Sequence, residues 1–435
     1  MTGREAAVRA LLAWEKQGAW SDAFLDALFR RERLPARERA LAQQLCCGVI
    51  QNRTALDWYL QPYVRGTLQP SVRAILRTAV YQLAFLDRIP TAAAVDTAVE
   101  LAKGFANPAA ARVVNAILRR LTSAPLPALP GGEDGESLAL RYSHPRWLVD
   151  IWLERLGPEN CRRMLEADNT VPPVLLRVNR LRADPETVSA ALTAEGADFS
   201  PLALWDGFFA LGSGSAAELR AFREGLVTVQ DPAAALPVLC AGVTPGMRVL
   251  DACAAPGGKS FLLAQEMQDR GEILACDIHE RKLDRLRSGA ERLGIRCIRT
   301  MAGDARKPAA ELRAAFDLVL ADVPCSGMGV IRKKPEIRWK SREELASLPG
   351  IQWEILNSLA ECVRPGGQLV YSTCTLLREE NEAVIEAFLS QREDFHPAPL
   401  LLPPPVGNEL SGQRTLWPFE YGTDGFYLCR MVREK

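Results

Sequence analysis

Two cysteines in the C-terminal half of this 435-residue chain are its most reactive candidates. Cys325 lies in Asp322-Val-Pro-Cys325-Ser-Gly, and Cys374 lies 49 positions later in Ser372-Thr-Cys374-Thr. Each motif follows an apolar run that reads as a strand. A thiolate is the most nucleophilic side-chain group near neutral pH. It suits the activation of a carbon that is itself a feeble nucleophile. C5 of cytosine is such a carbon until something adds to C6 and pushes electron density onto C5. One cysteine accounts for the attack, and a second in the same pocket accounts for help in dismantling the adduct. An isolated cysteine is better read as a small buried apolar residue. Pro-Cys and Thr-Cys, each closing a strand beside a cofactor loop, reverse that preference.

The loop is Val249-Leu-Asp251-Ala-Cys253-Ala254-Ala255-Pro256-Gly257-Gly258-Lys259-Ser260, followed by Phe261-Leu-Leu-Ala. A strand runs into a tight glycine turn and out into a helix, so backbone N–H groups and a helix N-terminus face a ligand that the glycines let approach. Residues 253–259 therefore form the expected cofactor cradle. Asp277, twenty positions after Gly257, closes the run Glu272-Ile-Leu-Ala-Cys-Asp277 and is placed to accept ribose hydroxyls. Gly-Lys-Ser imitates the end of a phosphate-binding loop. That pattern needs a glycine five positions before Gly258, where Cys253 stands. Nor is this the Gly-x-Gly-x-x-Gly of a nicotinamide site. S-adenosylmethionine is the expected cofactor, and no metal is called for.

The elements that must position these groups follow in the order of an open α/β sheet. Asp304 follows the apolar stretch Cys297-Ile-Arg-Thr-Met, where an acid could meet an adenine amino group. Asp322 ends Phe316-Asp-Leu-Val-Leu-Ala-Asp322, and Gly367-Gln-Leu-Val-Tyr-Ser-Thr-Cys374 delivers the second cysteine. Ligands of such sheets sit beyond the carboxyl ends of the strands, near the point where strand order reverses. All these side chains should converge on one crevice. Any one of the aspartates alone would be read as a turn residue or helix cap.

With these motifs in hand, the chain resembles the Sun-type RNA 5-methylcytosine methyltransferases over nearly its whole length, and among them the enzymes of small-subunit ribosomal RNA. Asp251-Ala-Cys-Ala-Ala-Pro-Gly-Gly-Lys-Ser, Asp322-Val-Pro-Cys-Ser-Gly, Tyr371-Ser-Thr-Cys-Thr and Asp424-Gly-Phe-Tyr stand in that family's order, with Val229-Gln-Asp231-Pro upstream. The resemblance implies that Cys374 is the nucleophile and that Cys325 assists release of the methylated RNA. It also places Asp322 and Lys259 close to the target base, with Asp322 near the cofactor as well. Physically, the aspartate could hold the N3/N4 edge of the base while the lysine tunes nearby charge. Chemistry alone does not rank the two cysteines. DNA cytosine methyltransferases use the Pro-Cys cysteine, so the choice of Cys374 as nucleophile rests on the resemblance.

Composition sets the surroundings. A chain of this length should hold two or three domains. Met1-Thr-Gly-Arg-Glu-Ala-Ala-Val-Arg is charged where a secretory signal would be apolar, and no apolar run is long enough to span a membrane. Eleven cysteines with no Cys-x-x-Cys pair argue against a disulfide framework or zinc ribbon, so a reducing cytoplasm is the expected location. Formal net charge is zero, yet residues 1–125 hold 17 Lys+Arg against 10 Asp+Glu, a balance of +7. The remainder, with 36 against 43, carries −7. The basic end is the expected place for phosphates.

Residues 1–125 show helical spacing of apolar positions in Ala7–Trp14, Leu41–Ile50 and Val72–Tyr81. They are expected to form an all-α, RNA-binding bundle that resembles the antitermination factor NusB. Residues 126–139, rich in proline and glycine from Ser123 to Ser137, read as a linker. Residues 140–235 suggest a small α+β, RNA-recognition-like module opened by a short helical stretch at Tyr142–Val149. In it Arg177-Val-Asn179 is a motif of the resembled family, with RNA contact as one reading and an ordinary strand as the other. Residues 236–435 should be an α/β Rossmann-like class I methyltransferase domain. His144, His279 and His396 are the only histidines, none close in sequence to either cysteine motif, which disfavours a Cys-His hydrolase. The expectation is a monomeric, membrane-free enzyme that methylates C5 of a cytosine in 16S ribosomal RNA, free or in a partly assembled subunit. The target base would leave its stack to reach the cysteines. DNA methylation and a non-catalytic RNA-binding role are the alternatives.

Overall fold

The computed structural model describes residues 1–434 and divides into two compact units. One is Met1–Thr170 with Lys333–Lys340, and the other is Val171–Arg332 with Ser341–Lys435. Among the described residues no helix is long and apolar enough to cross a membrane.

The first unit is helical. α1 (Gly3–Gln17), α2 (Ser21–Glu32), α3 (Ala36–Gln51), α4 (Arg53–Leu60), α5 (Pro70–Phe85), α6 (Thr91–Phe105) and α7 (Pro108–Leu121) follow the apolar spacing of the sequence. Their starts are set locally. Thr2 accepts a hydrogen bond from the Glu5 N–H ahead of α1, and Asn107 from the Ala110 N–H ahead of α7, whose first residue is Pro108. Leu11, Leu45, Ile50, Leu56, Ile75 and Val114 meet in one core. Burying each is worth roughly 1.5–3 kcal/mol, so packing of the apolar faces rather than helix propensity stabilises the unit.

By packing, this unit does not end at residue 125. α8 (Gly135–Arg141) starts inside the expected linker, capped by Asp134, which accepts from the Glu136 and Ser137 N–H groups. α9 (Arg146–Asp168) is a 23-residue helix, kinked at Gly157, rather than a short stretch. α8 packs against α4 and α9, and Leu138, Leu148, Val149 and Trp152 are fully buried. Those apolar side chains outweigh the proline and glycine signal just upstream. Residues 140–170 thus pack with the helices and not with the sheet they were expected to open. The segment Lys333–Lys340 also belongs here. Arg338, without exposed surface, donates to Asn169 Oδ1 at 2.8 Å and to the Asp168, Ser143 and Gln51 carbonyls. Glu336 Oε1 accepts from the Ser21 N–H and hydroxyl at 3.1 and 2.9 Å. His144 Nε2 lies 3.3 Å from Asp168 Oδ2, and burial, reinforced by Arg338, pushes this imidazole down to about 4.

The second unit opens with a four-stranded antiparallel sheet of β1 (Val174–Val178), β2 (Phe199–Pro201), β3 (Phe208–Leu211) and β4 (Val227–Val229), ordered β2-β3-β1-β4. α10 (Pro185–Ala194) and the short α11 (Arg220–Arg223) accompany it. β1 is an inner strand, buried along four of its five residues. Arg177 Nε donates to Gln230 Oε1 at 2.5 Å, and its NH1 donates to Gln265. Asn179 Nδ2 donates to the carbonyls of Gly225 and Leu293. Both side chains are buried, so the RNA-contact reading of Arg177-Val-Asn179 is corrected: the motif fastens the small sheet to the catalytic domain.

The larger sheet holds β5 (Arg248–Asp251), β6 (Glu272–Asp277), β7 (Ile298–Ala302), β8 (Phe316–Asp322), β9 (Val363–Thr373), β10 (Phe395–Pro397) and β12 (Phe426–Arg433), ordered β10-β12-β9-β8-β5-β6-β7, while β11 (Gln413–Leu416) pairs with β12. β7-β6-β5-β8-β9 are parallel, and β12 is antiparallel to its neighbours. Continuous apolar runs such as Leu318-Val319-Leu320-Ala321 are buried, as a parallel sheet covered on both faces requires. α12 (Pro232–Leu239), α13 (Gly258–Glu266) and α14 (Glu280–Leu293) follow the chain around it. Strand order reverses between β5 and β8. The glycine loop and the Pro-Cys loop leave the carboxyl ends of those two strands.

Candidate active site

β5 ends at Asp251, and the chain turns through residues 252–256 to Gly257, which has φ +112° and caps α13. A Cβ at Gly257 would stand 2.6 Å from the Phe261 ring and 2.9 Å from Leu286, so both backbone angle and space require glycine. The Ala254 N–H donates to the Cys276 carbonyl at 2.8 Å and pins the loop to the end of β6. The first N–H groups of α13, from Gly258 to Ser260, have no acceptor within the helix and mark a site for a polar ligand. Burial pushes the Cys253 thiol up, leaving its backbone as its contribution to the cradle.

Carboxylates crowd this end of the sheet. Asp251 is 1% exposed; its Oδ2 accepts from Ser260 Oγ at 2.6 Å, and its buried Oδ1 has no hydrogen-bond partner. Burial pushes Asp251 up to about 7, the Ser260 hydroxyl opposes the rise, and the charges of Asp322 and Asp277 add to it while Lys259 offsets part. Asp277 accepts from the His279 N–H at 2.9 Å. Asp304 is held by its neighbour Arg306, whose Nε and NH2 donate at 3.1 and 2.7 Å and keep its carboxyl below the usual carboxylate range.

The cysteine side adjoins it. Asp322 Oδ2 accepts from Lys259 Nζ at 2.7 Å, and Oδ1 accepts from Ser372 Oγ at 2.7 Å. Lys259 Nζ also lies 4.9 Å from the centroid of the Phe426 ring. Just beyond Asp322 and Ser372 the two sulfurs stand 3.2 Å apart. The hydrogen bond with Cys374, together with burial and the charges of Glu380 and Asp322, raises the Cys325 thiol well above its ordinary value. Cys325 therefore keeps its own proton at neutral pH.

Three further buried groups hold these loops. Arg332 donates to Asp424 Oδ1 at 3.1 Å and to Asp231 Oδ2 at 3.3 Å, while the Asp424 N–H donates to Asp231 Oδ1. Gly329 donates to the Cys374 carbonyl at 2.9 Å and accepts from the Gly425 N–H at 2.7 Å. The backbones cross so closely that a Cβ on Gly329 would lie 2.2 Å from the Gly425 carbonyl oxygen. Thus the Val229-Gln-Asp231-Pro and Asp424-Gly-Phe-Tyr motifs brace the cysteine loops from outside. Asp251, Arg332, Gln352 and Glu380 were not singled out by the sequence reading. Asp251 stood inside the quoted loop, but the other three are visible only once the loops are closed. Among the described residues no histidine pairs with either cysteine: His144 bonds Asp168, and His396 sits on β10.

Residues 241–432 match the family described as 16S rRNA methyltransferase RsmB/F, residues 1–123 match the NusB family, and residues 144–212 match an RsmF/B-like ferredoxin-like domain. A probable ribosomal RNA small subunit methyltransferase B of Bacillus subtilis (strain 168) is 36% identical over 440 residues, covering 99% of this chain and 98% of its own. The chain belongs to the ribosomal RNA small subunit methyltransferase B family. A member from Klebsiella pneumoniae is 33% identical, with 93% of this chain and 92% of that protein aligned. The crystal structure of PH0851 superposes with a TM-score of 0.83 at 28% identity, over 100% of this chain and 98% of that chain. A methyltransferase homolog from Pyrococcus horikoshii matches at TM-score 0.58 and 30% identity, over 69% of this chain and 98% of its own. Within the family, the NusB match stops before α8, and the ferredoxin-like match takes α9 with β1 to β3, leaving β4 outside, although the packing of α9 lies with the helices.

Proposed function

We propose that this family member transfers the methyl group of S-adenosylmethionine to C5 of a cytosine in 16S ribosomal RNA through a covalent bond between Cys374 and C6. The observation that carries the reading is the 3.2 Å approach of two sulfurs beside the Lys259–Asp322 pair at the carboxyl ends of β8 and β9. The family relatives are named as ribosomal RNA small subunit methyltransferases, which supports the RNA substrate. The crevice suits a cationic cofactor: three carboxylates, Asp251, Asp277 and Asp322, face one lysine, and a buried Asp251 oxygen lacks a donor. The sulfonium and ammonium charges of S-adenosylmethionine would answer both features. Residues 253–259 would carry its main-chain contacts, Asp277 its ribose, and Asp304 its adenine end. S-adenosylmethionine, when bound, supplies an electrophilic methyl group.

The chain's own groups then divide the work. Cys325 keeps its own proton, and the Cys374 sulfur gives up its proton to solvent as it adds to C6. Asp322 accepts from the N4 amino group of the base, with Lys259 compensating its charge. After transfer a water molecule takes the C5 proton, the C5–H electron pair re-forms the C5=C6 double bond, and the bond from Cys374 to C6 breaks with its pair on sulfur. The Cys325 S–H, hydrogen-bonded to the departing sulfur, stabilises the thiolate that is released. The basic NusB-like unit and the small module would hold opened RNA while the base enters. Bisulfite sequencing of 16S ribosomal RNA from cells lacking the gene, with and without the wild-type chain restored, tests the activity. One protected cytosine that appears only on restoration is expected, and an unchanged pattern would overturn the assignment.

A further inference from the structure

Behind the two cysteines lies a buried carboxylate that the chemistry above does not use. Glu380 is 1% exposed. Its Oε2 accepts from the Ser326 N–H and from Gln352 Nε2, each at 2.8 Å, and its Oε1 accepts from Thr375 Oγ1 at 3.4 Å. Ser326 follows Cys325 and Thr375 follows Cys374, and their hydroxyls are 2.7 Å apart. Gln352, on the helix Leu348–Ala360, also donates to the Pro324 carbonyl at 3.0 Å. The Glu380 carbonyl in turn accepts from the Tyr371 hydroxyl at 2.6 Å, and the next residue, Asn381, bonds Thr373 Oγ1 and the Thr375 carbonyl. A single carboxylate therefore reaches the residue after each cysteine. All the partners named are uncharged, and a buried carboxylate compensated only by neutral donors is expensive to keep. A fold has reason to keep one where it sets a geometry that apolar packing cannot.

We propose that Glu380 is a positioning residue for the two-cysteine reaction: its carboxylate ties the Cys325 loop to the Cys374 loop and so holds the sulfurs at the spacing that product release needs. The inference rests on the reading above and adds to it. Attack on C6 needs only Cys374, whereas release needs Cys325 at hydrogen-bond distance from the leaving sulfur. Loosening the tie should therefore impair release more than attack. The charge of Glu380 also contributes to keeping Cys325 protonated, after the hydrogen bond with Cys374 and burial. Losing that charge should make the Cys325 thiol ionise at lower pH.

The test is Glu380→Gln in the full chain, which keeps shape but removes charge and sets an amide donor against donors. Melting temperature and S-adenosylmethionine affinity should stay near wild type. Turnover should fall roughly tenfold, the scale of one lost charge-assisted hydrogen bond. Denaturant-resistant RNA adduct should rise in step, and the pH profile of Cys325 alkylation by iodoacetamide, read by mass spectrometry, should move to lower pH. A folded variant with normal turnover, adduct and alkylation profile overturns the proposal. Thr375→Val, which removes the Glu380 contact on the Cys374 side together with the Ser326–Thr375 hydroxyl bond and leaves the charge, should raise adduct without moving the alkylation profile. Ser326→Ala, which removes the hydroxyl bond but not that Glu380 contact, should raise adduct less. Thr375→Val decides the matter if Glu380→Gln fails to fold, and an unchanged adduct level in it is then the overturning result. Cys325→Ala run in parallel separates the two claims. If it traps no RNA, the two-cysteine reading fails, while trapping there with silence in both tie variants fails Glu380 alone.

Discussion

Two clusters of buried charge, one in each unit, answer burial in opposite ways. In the helical unit Arg338 has four acceptors and the opposite charge of Asp168 beside it, and His144 is driven neutral, so charge is balanced within the cluster. In the crevice Asp251 is equally buried, its hydrogen-bond donor is the neutral Ser260 hydroxyl, and burial with the neighbouring acids adding to it pushes the group up to about 7. The first arrangement holds helices together, although Asp168 Oδ1 and Arg338 Nε lack hydrogen-bond partners and burial pulls Arg338 down to about 10. The second is held by the sheet around it, at the end of β5. Burial shifts groups in both clusters, so what makes the crevice the functional candidate is the perturbed acid standing beside the two cysteines at the strand ends.

The contrast predicts first that the crevice can lose reactivity without losing structure. Cys374→Ala should cut methyl transfer by on the order of 10⁴-fold or more, the scale of removing a nucleophile, with melting temperature and cofactor affinity unchanged. A parallel fall in stability would make Cys374 a packing residue. Next in size is the pH response, which should differ in sign between the units. Asp251 is raised in the folded state, so the folded chain binds the extra proton and its contribution is lost as pH rises from about 4 to 7, by up to roughly 4 kcal/mol. His144 is lowered, so its contribution is lost as pH falls from about 6.5 to 4, by up to roughly 3 kcal/mol. Hydrogen exchange followed across this range should show α9 loosening on acidification while β5 tightens. Asp251→Asn should flatten the β5 response and leave that of α9. The smallest effect concerns the ribose acid: Asp277→Ala should weaken S-adenosylmethionine binding by roughly 1.5–3 kcal/mol for each charge-assisted bond lost. Calorimetry with unchanged affinity would take Asp277 out of the site.

What could be read in advance follows from how local each signal is. Glu272–Asp277 and Phe316–Asp322 were legible to the residue because a buried parallel strand is a mostly apolar run, here closed by an acid. Gly257 was legible because only glycine fits its turn. α8 was hidden by the proline and glycine before it, since the helix is buried by packing against α4 and α9, which local spacing does not show. Arg177 and Asn179 were open to an RNA-contact reading because alternation along a strand does not reveal that β1 is buried along most of its length. Glu380 could not be found from spacing at all: its partners sit at 326, 352 and 375, and only the closed loops bring them together.

The central claim is the division of labour between the sulfurs, and one gel tests it. Purified Cys325→Ala and Cys374→Ala chains are incubated with unmodified 16S ribosomal RNA and S-adenosylmethionine, denatured, and resolved with and without ribonuclease. Cys325→Ala should give a slow, ribonuclease-sensitive protein band that depends on S-adenosylmethionine, because attack and transfer proceed while release stalls. Cys374→Ala should give none. Trapping by Cys374→Ala, with Cys325→Ala silent, would make Cys325 the nucleophile and contradict the account.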